Sequence, residues 1–242
     1  LFADKTVANN KAVTISGLTL SGEDAGNYTV TDNSGATANI TAKAITSTGI
    51  TASNKVYNAN TVATLNTGTA VLTGGAVADD DNKYYTGDTV TLDTSGAAGL
   101  FADKTVANNK AVTISGLALS GADAGNYTVT DASNATANIT AKPITATGVT
   151  AVNKIYNANT VATLNTGLAA ITAGATADDD KKYYDGDTVI LEKAGATGAF
   201  ADKTVANNKA VTISGLTLSG EDAGNYTVTD NSGATADITA KA

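Results

Sequence analysis

Carboxylates are the most densely gathered reactive side chains in this chain. Asp79-Asp80-Asp81 stands near Asp88, and Asp178-Asp179-Asp180 stands near Asp185 and Asp187. Calcium takes six to eight oxygen ligands, and aspartate-rich loops in extracellular modules hold it weakly. Asp79, Asp80, Asp81, Asp88, Asp178, Asp179, Asp180 and Asp187 are therefore the candidate metal ligands, with calcium the one cofactor they suggest. The spacing lacks the alternating Asp-x-Asp-x-Asp-Gly order of an EF-hand loop. The plainer alternative is a solvated acidic loop that keeps a sheet edge from pairing with neighbours.

Other chemistry is thinner. Tyr84-Tyr85 and Tyr183-Tyr184 stand beside the acidic loops, and paired rings can offer a sugar an apolar face with a polar tip. Otherwise one ring of each pair belongs to a core and the other packs over an edge. Lys110 and Asn126 supply the residue types of a Lys–Asn isopeptide, but the acidic assistant is not secured: Glu23 and Glu221 are equivalent, while the middle copy has Ala122. Asp4, Asp103 and Asp202 each precede a Lys, and adjacent residues on a strand face opposite ways, so no bridge within each pair is expected. The Asn27-Tyr-Thr sequon is more simply part of a turn motif. With no His and no Cys, neither a general base of the usual kind nor a thiol nucleophile exists. An Asp dyad of the glycosidase type would be copied into every repeat, so the chain reads as no enzyme.

The elements that must position these residues repeat. The run Phe101-Ala-Asp-Lys-Thr-Val-Ala-Asn-Asn-Lys-Ala-Val-Thr-Ile-Ser-Gly116 recurs from Phe2 and from Phe200, a period of 99 residues. Tyr28, Tyr127 and Tyr226 are equivalent, as are Ile40, Ile139 and Ile238. Three segments follow: 1–43 as the C-terminal half of a repeat, 44–142 as a complete repeat and 143–242 as another. A start within a repeat and without Met suggests a piece of a longer chain. The joints Ile40-Thr-Ala-Lys-Ala-Ile45 and Ile139-Thr-Ala-Lys-Pro-Ile144 have no Gly/Ser spacer, which predicts stiff junctions. Pro143, the one proline, sits at such a joint, where a missing N–H is tolerated. Residues 1–43 need a partner for their strand edges, from a preceding half-repeat or from an adjacent subunit by strand donation.

Hydrophobic residues make up 42% of the chain and aromatics only 5%, so the core must be aliphatic with a few Tyr and Phe anchors. All fifteen basic residues are Lys and the net charge is −8, which argues against a nucleic-acid surface. No apolar run approaches the roughly 20 residues that span a bilayer, and no signal peptide is visible. Alternation of two governs the pattern. Val112 and Ile114 oppose Thr113 and Ser115; Tyr127 and Val129 oppose Thr128 and Thr130; Ala135, Ala137 and Ile139 oppose Thr136, Asn138 and Thr140. This marks antiparallel sheets buried on one side. Asn58-Ala-Asn60, Gly74-Gly75, Gly87, Gly96, Asn108-Asn109, Gly116 and Gly121 read as turns. The fold expected is all-β: tandem immunoglobulin-like β-sandwich repeats forming a rod. Its core in the complete first repeat would hold Ile50, Tyr57, Leu65, Val90, Leu92, Phe101, Val112, Ile114, Leu117, Tyr127, Val129 and Ile139. In Ser120-Gly-Ala-Asp-Ala-Gly-Asn-Tyr-Thr-Val129 the Asp four residues before Tyr127 is similar to a tyrosine corner, whose hydroxyl bonds back to the corner backbone. A plain polar turn with a core Tyr is the other reading.

Phe-Ala-Asp-Lys-x-Val, then Val-Thr-Ile-Ser-Gly-Leu-x-Leu-Ser-Gly-x-Asp-Ala-Gly-Asn-Tyr, then Ala-x-Ile-Thr-Ala-Lys, resembles the YDG repeat domain over the whole chain. The family's Tyr-Asp-Gly is Tyr57-Asn58-Ala59 in one repeat and Tyr156-Asn157-Ala158 in the other; the literal Tyr184-Asp185-Gly186 lies elsewhere. Such domains occur in tandem in large secreted haemagglutinin-like adhesins of Gram-negative bacteria. The resemblance implies an extracellular or cell-surface stalk, fibre or biofilm filament. Its partners would be neighbouring repeats or copies of itself, with glycans met through a tip outside this segment. A ligand-binding carbohydrate module is the alternative. Differences between the two full repeats, such as Thr86 against Asp185, are scattered and polar, which favours a spacer.

Overall fold

A computed structural model describes all 242 residues. The chain is all-β, with three short 3-10 turns at Ala25–Asn27, Ala124–Asn126 and Ala223–Asn225. No helix is long and apolar enough to cross a membrane. Contacts gather the chain into two compact units. The first is Leu1–Ala52, Thr64–Gly99 and Thr113–Ala135; the second is Ser53–Ala63, Leu100–Val112 and Thr136–Ala242. These units do not follow the period of 99 residues, so each contains one place where a sequence repeat passes into the next.

In the second unit a five-stranded sheet runs in the order Lys154–Ile155, Thr235–Thr239, Ala206–Ser214, Thr197–Phe200, Val161–Ala162. Its last three contacts are antiparallel, as the alternation predicts. The first is parallel, with Lys154 opposite Ile238. Lys142–Thr147 likewise runs parallel to Tyr226–Asp230, Lys142 facing Tyr226. The expectation of purely antiparallel sheets is thus corrected to mixed sheets. The paired strands lie some eighty residues apart in the chain, so no hairpin dictates their direction. Alanine, threonine and aliphatic residues alternate through Ala234, Ala236 and Ile238, which point inward with Val211, Phe200 and Ala162. Tyr156, Leu164, Ala151 and Ile213 close the edges of this cluster. Phe200 is only 3% exposed, and its burial contributes about 1.5–3 kcal/mol. Gly198 permits the fit, since a Cβ there would lie 2.6 Å from Leu164 Cδ2.

In the first unit Lys43–Thr48 runs parallel to Tyr127–Asp131 and antiparallel to Val71–Leu72. Ile45 and Ile50 are its buried aliphatics, with Tyr127 at the edge. Residues 1–43 contain no fully buried side chain, and their Tyr28 is 70% exposed where the equivalent Tyr127 is 7% exposed. They pair Ala8–Ala12 with Thr37–Ile40 but have no core of their own.

Of the expected core, Ile50, Tyr57, Phe101, Val112, Tyr127 and Ile139 are buried. Leu65, Val90, Leu92, Ile114, Leu117 and Val129 are only half-buried. Alanines take their place, among them Ala63, Ala135 and Ala137, because short side chains let neighbouring strands approach closely. Asn108-Asn109 is a bulge inside the strand Ala107–Ser115 and makes no turn: Asn109 has φ 52° and its N–H donates to Asn138 Oδ1 at 2.8 Å. A bulge bends a strand without ending it.

Candidate functional site

The polar chemistry of the second unit converges on Asp187. The tight turn Tyr184-Asp185-Gly186-Asp187 closes through the Asp187 N–H onto Tyr184 O, with Gly186 at φ 91°. That turn sends the Asp187 carboxylate inward, where its side chain is 2% exposed. Oδ2 accepts the hydroxyls of Tyr57 at 2.7 Å and Tyr226 at 2.6 Å. Oδ1 accepts Lys104 Nζ at 2.7 Å. Tyr226 Oη in turn accepts the Tyr184 N–H at 3.0 Å. Nearby, Asn225 Oδ1 accepts the Val106 N–H at 3.0 Å, and Asp222 lies 3.8 Å from Lys104 Nζ.

The rings of this knot pack on one another. Tyr57 meets Tyr226 edge-on at 5.4 Å and Tyr184 at 6.1 Å, and Lys104 Nζ lies 5.8 Å from the Tyr57 ring centre. Strand pairing holds Tyr57 in place: Lys55–Val56 runs parallel to Ile139–Thr140, and the Tyr57 N–H donates to Thr140 O at 2.8 Å. Tyr57 is fully buried, whereas the equivalent Tyr156 is half-exposed. Burial and the Asp187 charge push the Tyr57 phenol up to about 12. The same two causes raise Tyr226. Burial alone would raise Asp187, but Lys104 and the two phenols outweigh it and hold the carboxyl below its ordinary value. Asp187 in turn raises Lys104. A buried carboxylate with one cation and two hydroxyl donors is electrically satisfied. It acts as a clasp, with its acceptor sites taken by the chain's own donors.

Lys104 and Tyr57 belong to one sequence repeat and Asp187 and Tyr226 to the next. The first unit carries the same joint 99 positions earlier. Tyr127 donates to Asp88 Oδ2 at 2.7 Å, Lys5 pairs with Asp88 and lies 3.4 Å from Asp123, and the Val7 N–H donates to Asn126 Oδ1 at 3.0 Å. Lys5 holds the Asp88 carboxyl below its usual range, with Tyr127 assisting. The Tyr127 hydroxyl therefore reaches across to Asp88 and to the Tyr85 N–H, not back to its own corner backbone. Asp123 accepts the Thr89 N–H at 2.9 Å instead, so the plain-turn reading of this segment holds.

The other candidate metal ligands are dispersed among separate tasks. Asp81 accepts the N–H groups of Val77, Ala78 and Lys83 and the Lys43 ammonium. Asp180 does the same with Thr176, Ala177 and Lys182, and with the fully buried Lys142 at 3.0 Å. The Val77 N–H is the largest influence lowering Asp81. Asp79, Asp80, Asp178 and Asp179 are exposed, Asp79 accepting the Tyr85 hydroxyl at 2.9 Å. No three acidic side chains gather in one group. Asp81 and Asp180 thus order a lysine-plugged loop, and Asp88 and Asp187 anchor the joints.

No ring of the two tyrosine pairs is fully buried: Tyr84, Tyr183 and Tyr184 are half-buried and Tyr85 is exposed, so neither pair places one ring in a core. Tyr84 packs on Gly74, where a Cβ would meet its ring at 2.8 Å, and Tyr85 lies at the edge under Lys43. Lys110 and Asn126 are not brought together: Lys110 pairs with Asp103, and Asn126 receives Val7. Lys104 and Lys5 escaped the sequence reading because Phe-Ala-Asp-Lys looks like a loop opening. The available signal was the shared 99-residue register of Lys5 with Asp88 and of Lys104 with Asp187.

A family model described as YDG domain matches residues 1–36, 41–136 and 140–234. No curated protein and no solved structure matches the chain.

Proposed function

The chain belongs to the YDG-domain family, and from that premise we propose that it is a structural stalk or fibre segment of a large bacterial adhesin or surface filament, working outside the cell. The observation that carries this reading is the Lys104–Asp187–Tyr57–Tyr226 clasp at the passage from one repeat to the next. A spacer needs each unit to hold its neighbour without a flexible linker, and repeat arrays draw much of their stability from such nearest-neighbour contacts. Here the most elaborate polar cluster serves that purpose, and its residues recur at the period of the sequence. Neighbouring repeats are then the principal partner, and recognition of a host or matrix ligand falls to other parts of the adhesin.

Small-angle scattering on chains of two, four and six repeats tests this. Maximum dimension should rise by an equal step for each added repeat, and Asp187→Ala with its equivalents should shorten the average step by loosening the joints. Dimensions growing only as the square root of repeat number would describe unlinked beads and sink the proposal. Specific binding of glycans by an isolated two-repeat chain would replace it with the ligand-binding reading.

A further inference from the structure

An amine, a carboxyl and an acidic assistant, which Lys110 and Asn126 do not bring together, meet instead at Lys104. Its Nζ lies 2.7 Å from Asp187 Oδ1 and 3.8 Å from Asp222 Oδ1. Asp187 is the least exposed of the lysine-paired aspartates, at 2% against 11% for Asp88 and 56% for Asp103. Its other oxygen, Oδ2, faces two phenol donors, Tyr57 at 2.7 Å and Tyr226 at 2.6 Å. Asp180, which also pairs with a buried lysine, differs in kind: its carboxylate is filled by three backbone N–H groups and has no hydroxyl donor.

We propose that Lys104 and Asp187 condense into an intramolecular isopeptide bond that ties one sequence repeat to the next. One ammonium proton passes to the carboxylate by way of Asp222, and the freed Nζ attacks Asp187 Cγ. The N–C bond forms and the Cγ–Oδ1 bond breaks, so Oδ1 departs as water carrying two protons from the lysine. The two charges cancel, and nothing is oxidised or reduced. Tyr57 and Tyr226 donate to Oδ2, where negative charge gathers in the tetrahedral intermediate. Fixing the amine against the carboxyl replaces a chance encounter, and the dry site removes the medium that favours separated ions. The ion pair, with Lys104 raised and Asp187 lowered, is the form into which the chain folds. Proton exchange must precede attack, so condensation follows folding slowly, and the energies of the clasp refer to the uncondensed form. The inference rests on this geometry and is independent of where the protein works.

The test is the intact mass of the 242-residue chain, measured under denaturing conditions after incubation of the folded protein at neutral pH. Condensation makes it about 18 Da lighter than its sequence, one water. Digestion should then yield a branched peptide joining the segments around Lys104 and Asp187, 83 positions apart. Lys104→Arg keeps a cation beside Asp187 but offers no amine, and it should regain that mass and lose the branched peptide. Asp185-Gly186 could shed the same water as a succinimide within one segment. A loss that persists in Lys104→Arg, with no branched peptide in the parent chain, would therefore overturn the proposal, as would a parent chain at its full mass. Asp222→Asn retains an acceptor for the Thr188 N–H, now 2.9 Å from Asp222 Oδ2, and should leave most chains uncondensed. Complete condensation in that variant would overturn the part given to Asp222. None of these results touches the spacer reading, which the scattering series judges separately.

Discussion

Removing one oxygen atom from Tyr57 isolates what the clasp contributes. Tyr57→Phe keeps the fully buried ring and its edge-on contacts with Tyr184 and Tyr226 but removes the donor 2.7 Å from Asp187 Oδ2. A hydrogen bond to a charged group contributes about 1.5–3 kcal/mol. Asp187 keeps Lys104 and Tyr226 after the change, so the lower part of that range applies, about 2 kcal/mol. In a chain of this size that lowers the melting temperature by about 4–8 °C. Asp187→Ala should cost more, about 3–5 kcal/mol, because it leaves two buried phenols without their acceptor and takes the counter-ion from the part-exposed Lys104. The double variant closes a thermodynamic cycle: with Asp187 gone, Tyr57→Phe should cost almost nothing, giving a coupling of about 1.5–2 kcal/mol. Calorimetry or urea unfolding followed by tyrosine fluorescence reads all four proteins. Tyr156→Phe, at the equivalent position without an Asp187-type acceptor, is the control and should change stability by less than about 0.5 kcal/mol. Equal losses for Tyr57→Phe and Tyr156→Phe, or a coupling near zero, would refute the clasp.

The same site sets a pH profile. Asp187 titrates below its unfolded value, so its stabilisation is present above about pH 4 and disappears as pH falls through the depressed folded value. Tyr57 works at the alkaline end: the folded phenol keeps its proton up to about 12, while the unfolded one loses it near 10, so stability should fall across that interval in a pH-dependent melting series. Millimolar calcium should shift the melting temperature by less than about 2 °C relative to chelator, because Asp81 and Asp180 are engaged by N–H groups and lysines that the ion would have to displace; a larger rise would restore the acidic loops as ligands. Ser47 Oγ is buried without a hydrogen-bond partner, and the other full repeat has Ala146 there, so Ser47→Ala should gain about 1 kcal/mol in urea unfolding. Ala158 stands at φ 63°, where the family's Tyr-Asp-Gly places its glycine, and Ala158→Gly should raise the melting temperature, gaining up to about 1 kcal/mol.

Period and strand alternation could be read from residue order alone, because copying leaves an exact register and a half-buried strand needs an apolar residue at every second place; the compact units, which draw on two repeats each, could not. Sequence reading also picked out Tyr57, Phe101, Val112, Tyr127 and Ile139 as core anchors, but it picked Leu65, Leu92, Ile114 and Leu117 by the same alternation, and these are only half-buried. Strand direction was not legible. Lys142–Thr147 pairs in parallel with Tyr226–Asp230, and such a choice between distant segments is made by the packing of the whole sheet. Nor was the division of labour among the aspartates legible. Asp79, Asp80 and Asp81 are consecutive and of one type, yet Asp81 is wrapped in N–H groups while its neighbours face solvent. Asp187 looked like one more member of an acidic run. Only the fold brings it against Tyr57, 130 residues away, and Lys104, 83 away. A carboxylate's role depends on which donors reach it and how much water remains, and both are properties of tertiary structure.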